Sequence, residues 1–121
     1  MKDAIDYGMK YTFHQDTPVI PPDMMRTISS AVNRISRCGR VIGENQKISV
    51  LDALKAVTIY AAYQYFEEHE KGSIECGKYA DFVVLEKNPL ETPKEELAEI
   101  KVWMTIKENE VIYRSGEANH E

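Results

Sequence analysis

Gly72-Ser73-Ile74-Glu75-Cys76-Gly77-Lys78-Tyr79-Ala80-Asp81, running into Phe82-Val83-Val84-Leu85, constrains the fold more than any other part of this chain. Two glycines bracket a short polar turn, where the missing Cβ opens positive φ. The β-branched and aromatic run after Asp81 has the content of a buried strand. Asn88-Pro89 ends it, because proline has no N–H for a ladder and biases the preceding residue away from helix. A turn feeding a strand is therefore expected here, in a stretch that holds almost nothing able to do chemistry.

Upstream of the cassette the pattern is mostly helical. Met9-Lys10-Tyr11-Thr12-Phe13 reads as a short strand, and His14-Gln15-Asp16-Thr17-Pro18 as the polar cluster at its C-terminal tip. Pro21-Pro22-Asp23 opens a helix with Met25, Ile28, Val32 and Ile35 at helical spacing, and Gly39 offers a stop. Ser49 with Asp52 resembles a capping box. The helix that follows has an apolar stripe of Leu51, Leu54, Val57, Ala61 and Tyr65, and Thr58 is placed to cap a new helix within it. Glu67 to Lys71 is a charged, solvated end in which His69 is exposed rather than catalytic.

Downstream the pattern turns to β. Pro93 to Leu97 reads as one helical turn with proline at its first position. Val102-Trp103-Met104-Thr105-Ile106 and Val111-Ile112-Tyr113 read as strands joined by a hairpin-length connection. This places residues 1–71 in one unit, 72–115 in another, and 116–121 in a flexible tail.

The chain has 121 residues, enough for one domain, and carries a net charge of −5. That balance argues against a general nucleic-acid binder, which needs a basic face for phosphate. No apolar run is long enough to span a bilayer, and the N-terminus lacks the apolar stretch of a signal peptide. A cytoplasmic protein with no membrane partner is the expectation. Cys38 and Cys76 lie far apart and outside any CxxC pair, so two free thiols are expected.

The cassette is similar to the GSI-x-x-GK-x-AD segment near the C-terminal end of amidohydrolase-superfamily enzymes. Further pieces resemble the type 3 group, the metal-dependent hydrolases related to N-substituted formamide deformylase. They are Phe13 to Val19, Pro21-Pro22-Asp23, Ala31-Val32-Asn33-Arg34, Ile48 to Leu54 and Thr58 to Tyr63, in family order. The resemblance implies an α+β fragment: the last strand-helix unit of a (β/α)8 TIM barrel, then C-terminal strands of a small β-sandwich. It implies the C-terminal part of a hydrolase of C–N bonds in amide-type, non-peptide small molecules. The parent would use a divalent metal, zinc, with none held tightly by this chain.

The resemblance also singles out residues. Asp16 matches the aspartate at the tip of the eighth barrel strand, where active sites of such barrels lie. There it would ligate or adjoin the metal, take a proton from metal-bound water and pass it to the leaving amine. Read without the family, an Asp before Pro18 is a turn residue. His14, two residues earlier, would share its face on a regular strand and hydrogen-bond substrate or carboxylate. Arg34 matches a position that shapes the substrate pocket, or else serves in an ion pair. The family's His-x-His and its later histidines have no counterpart, since the only histidines are His14, His69 and His120. The isolated chain is thus expected to be catalytically silent, and its uncovered apolar surface to drive self-association. The alternatives are a stand-alone, non-catalytic interaction module with the same architecture, and an unrelated small α+β domain.

Overall fold

The computed structural model describes residues 1–116. The elements are helices α1 (Lys2–Asp6), α2 (Met24–Asn33), α3 (Val50–Val57) and α4 (Ile59–Gln64), and strands β1 (Phe82–Leu85), β2 (Val102–Lys107) and β3 (Glu110–Arg114). Two 3-10 turns, Glu44–Gln46 and Lys94–Glu99, complete them. The strands form an antiparallel sheet in the order β1-β2-β3. Helical and β segments fall on either side of Gly72 as the sequence pattern requires.

Helix α2 begins as expected: the Asp23 carboxylate accepts from Arg26 N at 3.1 Å and quiets one of the unpaired amides of the first turn. Its end differs. Arg34 caps it in the left-handed conformation at φ 54°, five residues before Gly39, and Ile35 leaves the helix to bridge Val41. The closing contacts explain why glycine is not needed there. Ile42 N donates to Arg34 O (2.8 Å) while Arg34 Nε donates to Ile42 O (2.6 Å), so residues 34–42 close into a hairpin-like loop. Met25, Ile28, Ala31 and Val32 remain as the buried face.

The Ser49 cap forms as read. Ser49 Oγ accepts from Asp52 N (3.1 Å) and donates to the Asp52 carboxylate (2.7 Å). The apolar stripe shifts, however. Ala53 and Ala56 are the fully buried positions of α3, whereas Leu51 and Tyr65 are exposed. Thr58 does mark the break between α3 and α4, but its hydroxyl donates back to Leu54 O (2.7 Å) and caps nothing ahead of it.

Met9–Phe13 is irregular and not a strand. A strand exists only with a ladder partner, and among the described residues none of its backbone groups enters a ladder. Side chains hold it instead. The Tyr11 ring lies 5.7 Å from Phe13 and 5.9 Å from Tyr60. Burial, followed by the nearby Asp52 and Tyr60, pushes the Tyr11 phenol up to about 12, so it is neutral at physiological pH.

One core draws on both sides of Gly72. Leu97 and Ile100, around the second 3-10 turn, pack with Met25, Ile28, Ala31, Val32, Ile48 and Ala53. Pro93 stands just before that turn rather than at its first position. The expected tail from residue 116 lies, from residue 117 onward, outside the described residues.

The cassette is the tightest joint. At Gly72, φ is +93°, and a Cβ would meet Ala62 Cβ at 2.8 Å and Ile59 Cα at 3.0 Å. Both the backbone and the close approach to α4 demand glycine. Lys78, with its side chain only 10% exposed, donates from Nζ to Glu68 O (2.5 Å) and Ser73 Oγ (2.6 Å) and pairs with Glu75 (3.0 Å). Asp81 then reaches the far hairpin: its Oδ1 accepts from Glu108 N at 2.8 Å, and Ala80 O accepts from Asn109 N at 3.1 Å. Glu108 and Asn109 both have positive φ, the requirement of a two-residue primed turn. The cassette therefore fastens both α4 and the β2–β3 turn.

Candidate functional site

The His14–Val19 segment differs from the rest of the chain in how its polar side chains are used. Tyr11, Phe13 and Thr12 are held inward, Thr12 through its hydroxyl to Gln64 Oε1 at 2.9 Å. His14 and Asp16 are exposed. Asp16 sits at φ 55°, a region that non-glycine residues enter at some cost, although Asp tolerates it better than most. Its carbonyl accepts from Val19 N (2.9 Å), and Thr17 Oγ1 donates to Ile20 O (3.1 Å), closing the turn. The turn's backbone is held, while the carboxylate has no hydrogen-bond partner among the described residues and is chemically uncommitted.

The face shared by His14 and Asp16 was expected from the pleat of a strand. With no strand here and Asp16 left-handed, that period-two reasoning does not apply. Arg34 is partly buried and directed to its own loop: Nε donates to Ile42 O, and its guanidinium lies where a Cβ on Gly43 would come within 3.3 Å of Nη2. Among the described residues no ion pair engages it, and none joins His14, Asp16 and Arg34.

Among the described residues no three His, Cys, Asp or Glu side chains converge as a metal site would require. Structural and catalytic zinc take three or four such ligands, so Asp16 with these neighbours does not by itself fit the metal that the resemblance implied. Both cysteines are free and exposed. No helix of the described residues is long and apolar enough to cross a membrane.

Two residues at work in this architecture lay inside the matched segments with no partner assigned to them. Gln15, between the two candidates, donates from Nε2 to Thr27 Oγ1 (2.9 Å) and Met24 Sδ (3.3 Å). Asp81 fastens a turn twenty-seven residues away. Neither lies in a repeating pattern, and each needs a partner that only the fold supplies.

Comparisons with known proteins agree with this picture. The amidohydrolase family model (Amidohydro_3) matches residues 1–113. N-substituted formamide deformylase of Arthrobacter pascens is 27% identical over 117 residues, covering 96% of this chain but 22% of the relative. The crystal structure of an amidohydrolase from Thermotoga maritima superimposes with a TM-score of 0.66 at 25% identity, over 93% of this chain and 25% of that one. Escherichia coli guanine deaminase shares the fold, with a TM-score of 0.69 at 18% identity, over 93% of this chain and 29% of its own. The chain thus spans between a fifth and a third of the length of these relatives. A family match along nearly its whole described length means that this chain belongs to the amidohydrolase family.

Proposed function

We propose that this chain is the C-terminal part of a hydrolase that cleaves C–N bonds in amide-type, non-peptide small molecules. It would supply the end of the catalytic barrel, with residues 9–13 as its last strand once barrel neighbours flank them, and the closing strands of a small β-sandwich. The observation that carries the reading is the family match over residues 1–113 together with an exposed, uncommitted carboxylate at Asp16, in a turn held at both ends. Asp16 is assigned the proton traffic: it accepts a proton from the attacking water and delivers it to the departing amine. His14 would bind substrate or the Asp16 carboxylate, and Arg34 would shape the pocket wall through the 34–42 loop. A divalent metal, zinc by the family's habit, would need its other ligands from outside these residues.

The test begins with the DNA upstream of Met1. An open frame encoding a His-x-His strand supports the reading, and a start codon with its own ribosome-binding site and no such frame opposes it. The full-length polypeptide is then screened against N-substituted formamides, other amides and N-acyl amino acids, with and without chelator. Chelator-sensitive release of amine is expected, and its absence across the panel would overturn the assignment.

A second reading, a stand-alone interaction module, is compatible with one observation. Val83, Thr105 and Tyr113 stand opposite one another across the sheet, and Trp103 shares their side of β2. Val83, Trp103 and Tyr113 are each about half exposed. Such a face calls for a cover, either the rest of a sandwich or another molecule. Under the hydrolase reading the isolated chain self-associates through it. A strictly monomeric, stable species in light scattering would favour the module.

A further inference from the structure

Gln15 lies between the two residues with chemistry to offer, and its side chain turns away from them into the scaffold. Both hydrogens of its amide are engaged, one by Thr27 Oγ1 at 2.9 Å and one by Met24 Sδ at 3.3 Å. Thr27 passes the connection on, because its hydroxyl also donates to Asp23 O at 3.1 Å. Asp23 is the residue that caps α2, with its carboxylate on Arg26 N. A continuous chain of hydrogen bonds therefore runs from the middle of the 14–16 segment to the first turn of the best-packed helix. Asp16, the next residue, has a left-handed backbone and, among the described residues, no side-chain partner. Any control over the direction of its carboxylate therefore has to come through the backbone of its neighbours.

We propose that Gln15 is the positioning residue of Asp16. The Gln15–Thr27 bond ties the turn to α2 and so fixes the direction of the adjacent carboxylate. Gln15 suits this task for a chemical reason. Its neutral amide donates twice without adding a second charge beside Asp16, which a glutamate would do, and it is long enough to reach α2, which an asparagine is not. This rests on the assignment of Asp16 as the acid-base group. Misplacing a reacting group by an ångström costs up to about 100-fold, so the smaller shift allowed by losing the Gln15–Thr27 bond is expected to cost about tenfold.

The test uses the full-length polypeptide carrying this sequence and the 121-residue chain in parallel. In the full-length protein, Gln15→Ala and Thr27→Val should each lower kcat about tenfold and leave KM unchanged. Their combination should be no worse than either alone, and Thr27→Ser, which keeps the hydroxyl, should retain activity. In the 121-residue chain, Gln15→Ala should speed hydrogen exchange at the Val19 amide, which closes the turn on Asp16 O, by about tenfold with the melting temperature unchanged. Additive losses, a KM effect, or unaltered Val19 exchange would overturn the proposal. Asp16→Asn separates the two levels. If it abolishes turnover while Gln15→Ala does nothing, only the positioning role fails. If it leaves turnover intact, the acid-base assignment itself has failed, and the exchange measurement still decides whether Gln15 holds the turn.

Discussion

The two turns of this chain use similar residues to opposite ends. In the Gly72–Asp81 turn nearly every polar group is answered: Lys78 by Glu68, Ser73 and Glu75, and Asp81 by the amide of Glu108. In the His14–Val19 turn the backbone and Gln15 are answered, while His14 and Asp16 face solvent. A satisfied polar network specifies structure, because leaving any member unpaired costs desolvation. An exposed carboxylate without a partner adds little to stability, so Asp16 is free for the role proposed for it. The difference teaches where to look for scaffold and where for chemistry, in two segments that composition alone would treat alike.

Substitution should separate them, and the largest effect belongs to Asp16. In the full-length polypeptide, Asp16→Asn should lower kcat by about 10³-fold, within the range for a lost general acid-base group. Its stability should change by no more than about 0.5 kcal/mol, as for surface positions without partners. Steady-state kinetics beside urea denaturation reads both. A stability loss to match the activity loss would erase the contrast.

Next come the glycines of the cassette. Gly72→Ala forces a side chain at positive φ and into contact with α4, and should cost about 3 kcal/mol. Gly77→Ala meets nothing within 4 Å and carries only the backbone term, about 1 kcal/mol. Equal losses in denaturation would mean that Gly72 is chosen for its turn and not for its contact with the helix.

Asp81→Ala should cost about 1 kcal/mol by freeing the amide of Glu108. The loss should appear locally, as faster exchange at Glu108 and Asn109. A smaller effect comes from Glu75, whose carboxyl is held below its ordinary 4.5 by the Ser73 hydroxyl first and Lys78 second. A lowered folded-state value means that its contribution is full above the unfolded value and lost as pH falls through the folded one. Glu75→Gln should therefore lower stability slightly at neutral pH, and the difference from the parent should vanish as pH falls below about 4.5, which flattens the acid limb.

Much of the fold was legible because its signals are local. Asp23 and Ser49 cap helices with their own side chains, and β1, β2 and β3 appear where the β-branched runs stand. What escaped depends on distant partners. Met9–Phe13 has strand propensity, but propensity cannot supply a ladder. Arg34 ends α2 because Ile42 comes back to meet it, so the glycine stop at residue 39 was never required. The buried face of α3 falls on Ala53 and Ala56, and not on Leu51, because the small side chains occupy the positions turned to the core. For the site, Asp16, His14 and Arg34 came from the family pattern and not from their own chemistry. Gln15 came only from the structure, since nothing in a glutamine between two polar residues says that it reaches α2.

The central claim is that this chain holds one end of an amidohydrolase site and not the whole of it. Turnover of the amide panel by the purified 121-residue chain, assayed beside the full-length polypeptide with added zinc, tests it most directly. We expect hydrolysis by the full-length protein and none by the short chain. Hydrolysis by the short chain, with zinc retained through gel filtration, would contradict it.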